Sequence, residues 1–149
     1  MRYQFKNIHK VKAAVFFCLD PRFWEKTLEF IKGELKIDDF DPYVNPGGPK
    51  VLVDNDSRDF FLKKLEDVSL KLHHAEEIIL IAHRDCGAYG GSKAFGATPE
   101  FPNPSAEREL QEEDLRRAKA ILKEKFPDVR VELWYLEIIG SEIEFQKVL

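Results

Sequence analysis

Two apolar runs, residues 11–19 and 78–82, restrict the fold of this chain more than any other feature. A strand with one wet face alternates apolar with polar residues, whereas a strand covered on both faces does not. Runs rich in Val, Ile and Phe therefore point to central strands of a mainly parallel sheet packed between helices. Each run ends in side chains that carry chemistry: Cys18-Leu19-Asp20-Pro21-Arg22 after the first, His83-Arg84-Asp85-Cys86-Gly87 after the second. Open α/β sheets gather such groups beyond the carboxyl ends of their parallel strands.

The remaining pattern fits an α/β fold with a central mainly parallel sheet, flanking helices and a C-terminal edge hairpin. Asp20 and Pro21 make a favourable N-cap and first helical residue, and Trp24, Leu28, Ile31 and Leu35 follow at helical spacing. Tyr43 to Pro49 reads as a strand end running into a Pro/Gly turn. Asp54, Asn55, Asp56 and Ser57 offer N-caps for a helix with Phe61, Leu65, Val68 and Leu72 on one face. Beyond Gly90 and Gly91, a loop with Pro99, Pro102 and Pro104 leads to a helix whose inner face is marked by Leu115, Ala118 and Leu122, and its charged residues from 107 to 125 read as the wet face. Residues 129–133 alternate as a half-buried strand, and Gly140-Ser141 turns the chain into a tail with Ile143, Phe145 and Val148. With no repeat, low-complexity tract or linker, residues 1–149 are expected to form one domain.

Charge and composition exclude several classes of function. The 23 basic and 27 acidic residues are interspersed and leave a net charge of −4, so no basic stripe recommends a nucleic-acid partner. The apolar run at 13–17 is too short for a signal core, bulky Phe17 stands where a cleavage site wants a small residue, and no segment has the ~18 apolar residues of a membrane span. A cytoplasmic protein is the expectation, and there two cysteines serve more readily as ligands or nucleophiles than as a disulfide. The turn Pro46-Gly47-Gly48-Pro49-Lys50 lacks the spacing of a phosphate loop.

The two clusters together read as one zinc site. Cys18, His83 and Cys86 supply two thiolates and an imidazole, three donors of the kind zinc prefers, and leave a fourth position for water, as in a catalytic site. The His83 to Cys86 spacing suits chelation from one turn, where Gly87, Gly90 and Gly91 allow close backbone approach. Asp20 doubles as a helix cap, Arg22 is a cation at an unfavourable helix start, and Asp85 and Arg84 read as positioning or surface residues. His9, His73 and His74 are expected to be exposed. Tyr89 and Phe95 are near the site in sequence, without an assigned role.

Cys-x-Asp-x-Arg followed by His-x-x-Cys-Gly resembles the β-class carbonic anhydrases, in matching order over most of the chain. The resemblance implies zinc bound by Cys18, His83 and Cys86, a catalytic pair formed by Asp20 and Arg22, and reversible hydration of carbon dioxide to bicarbonate by zinc-bound hydroxide. It also implies a small uncharged substrate, a homodimer or higher homo-oligomer, and a closed state in which Asp20 becomes the fourth zinc ligand. The chemistry is coherent: zinc acidifies its water, Asp20 accepts a hydrogen bond from it, and Arg22 keeps Asp20 ionised and aimed. The chain departs from the family at Val44-Asn45-Pro46-Gly47, where Arg-Asn-Ala-Gly is usual, and only seventeen residues precede Cys18, fewer than the arm that usually embraces a partner subunit. The same site would also suit carbonyl sulfide or carbon disulfide, or a zinc-holding or thiol-sensing domain without catalysis. Cysteine-phosphatase chemistry fits poorly, because Cys18 and Arg22 are too close in sequence for a phosphate cradle.

Overall fold

The computed structural model describes residues 1–91 and 103–149. Among these, five strands form one sheet in the order β2-β1-β3-β4-β5: β1 (Ala13–Cys18), β2 (Phe40–Asn45), β3 (Glu77–His83), β4 (Arg130–Ile139) and β5 (Glu142–Val148). The first four run parallel, and β5 returns antiparallel to β4 as the edge hairpin expected from the tail. β1 and β3 are buried along their whole length, as unbroken apolar runs require.

Alternate residues of these strands feed two cores. Ala14, Phe16, Ile78, Leu80, Ala82, Leu133 and Tyr135 face α2 (Arg58–Lys64) and α3 (Pro104–Lys125), meeting Leu62, Leu115, Ala118 and Leu122. Ala13, Val15, Phe17, Ile79 and Ile81 face α1 (Trp24–Gly33) and pack on Phe30 and Ile31. Aromatic stacking pins both layers, with Phe16 on Tyr43 at 4.4 Å and Phe30 on Phe145 at 4.0 Å between ring centroids.

The structure corrects the sequence reading at several points. Asp20 is not the N-cap of α1; Phe23 holds that position without a side-chain cap. The Asp20 carboxylate is taken instead by Arg22, whose backbone N–H donates to Oδ1 at 2.9 Å, and the resulting Asx turn delays the helix to Trp24, which is itself exposed. After α2 the backbone widens over Leu65–Leu72, with the His73 amide reaching the Val68 carbonyl five residues back. This winding turns Ser69 inward behind Leu65 and leaves Leu72 in solvent, where a 3.6-residue period had placed it inside. His73 is half-buried, its Nδ1 2.9 Å from Asp41, and not simply exposed. The 107–125 run is not wholly wet: Glu107 and Gln111 are buried. Phe95, Pro99 and Pro102 lie outside the described residues, while Pro104 opens α3. Among the described residues no helix is long and apolar enough to cross a membrane.

Candidate metal centre

Parallel pairing of β1 with β3 brings their carboxyl ends side by side. Cys18 is the last residue of β1 and His83 the last of β3; Cys86 follows after a short loop in which Asp85 takes a positive φ of 57°. One donor atom from each of Cys18, His83 and Cys86 lies within 4.8 Å of the others. His83 and Cys86 are buried and Cys18 sits at the edge of burial.

The local hydrogen bonds prepare these donors for a cation. His83 Nδ1 lies 2.8 Å from the Arg84 carbonyl, so this nitrogen carries the proton and donates it, which leaves Nε2 as the acceptor. Nε2 is buried and has no protein partner. The Cys18 thiol is drawn far below the ordinary thiol range, first by a hydrogen bond from Cys86 and then by the Asp20 amide, while that same bond to Cys18, and then burial, push the Cys86 thiol up. The Ala88 and Tyr89 amides also point at the Cys86 sulfur and favour its thiolate. The Phe23 ring packs on His83 at 4.5 Å between centroids and shields that side.

Beside the sulfurs, the Arg22 side chain clamps both Asp20 oxygens, Nε donating to Oδ1 at 3.0 Å and to Oδ2 at 3.3 Å, and Nη2 to Oδ2 at 2.7 Å. This guanidinium holds the Asp20 carboxyl below the usual carboxylate range. Arg22 is fixed in turn by Asp85, which accepts from Nη1 at Oδ2 (2.8 Å) and from Nη2 at its backbone carbonyl (2.9 Å). Two glycines make room for this packing. A Cβ on Gly48 would lie 2.8 Å from the Phe17 carbonyl carbon and 2.9 Å from the Cys18 nitrogen, and one on Gly91 would meet Asp85 Oδ1 at 2.9 Å; both have positive φ.

The structure thus brings together Cys18, His83 and Cys86, and places Asp20 with Arg22 at their side. Asp85 is the positioning residue of that pair, whereas Arg84 serves the sheet, donating from Nη1 to the Ile138 carbonyl at 3.1 Å. Tyr89 turns its hydroxyl away to Asp114, at 2.9 Å. Sequence reasoning missed Glu107, which accepts the Cys86 amide at 2.9 Å from the first turn of α3. A signal was present: Glu107 and Gln111 extend the buried stripe of Leu115, Ala118 and Leu122 backward in steps of four.

Comparison with known proteins fits this geometry. A family described as "Putative carbonic anhydrase" matches residues 8–148. An uncharacterized protein of Rickettsia bellii (strain RML369-C) is 31% identical over 138 residues, covering 91% of this chain and 82% of its own length. In fold, the chain is similar to a carbonic anhydrase from Streptococcus mutans, with a TM-score of 0.55 at 18% identity over 97% of this chain and 87% of the other. It is also similar to tetrameric β-carbonic anhydrases from Sordaria macrospora, with a TM-score of 0.54 at 12% identity over 95% and 84%.

Proposed function

Because this chain belongs to the family described as "Putative carbonic anhydrase", we propose that it catalyses the reversible hydration of carbon dioxide to bicarbonate, with zinc held by Cys18, His83 and Cys86. The observation that carries this reading is the convergence of two thiols and one unpartnered imidazole nitrogen within 4.8 Å, next to a carboxylate clamped by arginine. Two sulfurs and a nitrogen form a donor set that suits zinc and leaves one position for water. Zinc supplies, when bound, a water acidic enough to yield a nucleophile near neutral pH.

The chain's own residues do the rest. The Arg84 carbonyl presents His83 in one tautomer, and backbone amides favour the thiolate forms of Cys18 and Cys86. Arg22 keeps Asp20 ionised, so Asp20 acts as a hydrogen-bond acceptor that orients the attacking oxygen and takes part in its proton's departure. Most of Arg22's N–H groups are committed to Asp20 and Asp85, which makes it act on the substrate through Asp20 rather than by direct contact. The assembly we propose is a homodimer or higher homo-oligomer, and the compartment the cytoplasm, where such thiols stay reduced.

Metal analysis of the purified protein coupled to a carbon dioxide hydration assay tests this reading. The expected result is one zinc per chain and hydration that disappears on chelation and returns with zinc. Metal without hydration would reject it, and parallel rates on carbonyl sulfide and carbon disulfide would then tell a related hydrolase from a zinc-holding domain.

A further inference from the structure

Glu107 belongs to no sequence motif and is fully buried on a helix whose other acidic residues mostly reach solvent. Burying a carboxylate is costly unless its oxygens are well used. Here Oε1 accepts two N–H groups, the Cys86 amide at 2.9 Å and Gln111 Nε2 at 2.9 Å. The second bond comes from the next turn of α3 and fixes the carboxylate on its helix. The first reaches across to the loop between β3 and the turn at Gly87–Tyr89, which runs on from His83 at the end of β3 and carries Cys86.

That loop is held from outside as well as by its own backbone. Its Asp85 has a positive φ of 57°, a left-handed conformation that aspartate tolerates better than most side-chain-bearing residues. The same Asp85 grips Arg22 from the other side. Held between Glu107 and Arg22, the loop keeps the Cys86 sulfur, the His83 ring and the Asp20 carboxylate in one arrangement. An apolar side chain at 107 would fill the space but leave the buried Cys86 amide without its acceptor.

We propose that Glu107 is a positioning residue of the metal centre, its carboxylate oxygen holding the Cys86 amide and thereby setting the ligand loop for metal capture. The inference rests on the reading of Cys18, His83 and Cys86 as metal ligands. Groups that orient ligands in this way typically change metal affinity about 10–100-fold when removed.

The test uses the full-length protein, its Glu107→Gln variant, which keeps an accepting oxygen, and its Glu107→Met variant, which keeps bulk without one. Each is titrated with Co2+ and followed by the visible bands of a tetrahedral thiolate site, with far-UV circular dichroism as the check on folding. The expected result is Co2+ affinity about 10–100-fold weaker in Glu107→Met, with altered bands, and affinity restored to within a few-fold by Glu107→Gln. Wild-type affinity and bands in a folded Glu107→Met would overturn the proposal, as would a Glu107→Gln as impaired as Glu107→Met. If Glu107→Met does not fold, Glu107→Asp decides in its place, because its shorter arm withdraws the oxygen while keeping the charge: weakened binding supports the proposal and unchanged binding overturns it. A wild-type chain that takes up no Co2+ refutes the metal-centre reading itself. Hydrogen exchange at the Cys86 amide of metal-free protein then decides separately whether Glu107 positions the loop, with faster exchange in Glu107→Met expected and an unchanged rate contradicting it.

Discussion

Asp20 shows how one carboxylate can be given a direction. Both its oxygens are engaged by the Arg22 side chain, and the Arg22 amide adds a further bond, so neither its charge nor its orientation is left to solvent. Removing that carboxylate leaves the three metal donors in place. Asp20→Ala should therefore retain its zinc, measured by elemental analysis, while hydration measured by stopped flow falls about 10²–10⁴-fold, the usual scale for a lost acid–base group. Undiminished turnover would remove Asp20 from the chemistry. Gly48 carries a different kind of constraint, because its missing Cβ is the space into which the end of β1 fits. Gly48→Ala combines overpacking with an unfavourable positive φ and should cost about 2–4 kcal/mol, read as a lower denaturant midpoint with an unchanged slope.

Among the elements, β2 and the widened turn after α2 depend on one another. The Tyr43 hydroxyl meets Ser69 Oγ at 2.8 Å, and burial pushes the Tyr43 phenol above its ordinary value. A raised value in the folded state means that the neutral phenol's contribution is complete below pH ~10, the unfolded value, and is lost as pH climbs through the folded one. The thermal stability of the wild type should accordingly fall above pH ~10, and Tyr43→Phe should lessen that alkaline loss while costing about 1 kcal/mol at neutral pH for the lost bond. An identical alkaline slope in both proteins would show that Tyr43 does not contribute to it. The strands were legible in the sequence because burial on both faces writes itself as unbroken Val, Ile and Phe. The widened turn was not, since a period of 3.6 residues is assumed in reading any helical stripe, and that assumption misplaced Leu72. Glu107 was hidden for a related reason: an acidic residue on a charged helix reads as wet unless its place on the buried stripe is given more weight than its charge. Cys18, His83 and Cys86 were legible because strand ends are where chemistry gathers, whereas the grip of Asp85 on Arg22 depends on a backbone conformation that no spacing announces.

At the scale of the molecule, the centre joins two strands that are neighbours in the sheet although β2 separates them in the chain. An ion bound there would tie the end of β1 to the loop after β3 and would favour only the folded state. At a free zinc concentration of 100 times Kd, this linkage adds about 2.7 kcal/mol, which for a chain of this size corresponds to a rise in Tm of roughly 5–10 °C. Calorimetry of stripped and zinc-loaded protein measures it, and equal melting temperatures would mean that the folded chain does not bind the ion in preference to the unfolded one.

The Cys18 and His83 donors meet only after β1 and β3 have found each other across the intervening α1, β2 and α2. A chain with these strands unpaired brings together only His83 and Cys86, three residues apart, while Cys18 stays remote. The full set of three donors exists only where the central pairing has formed, so one ion held by all three would report that pairing.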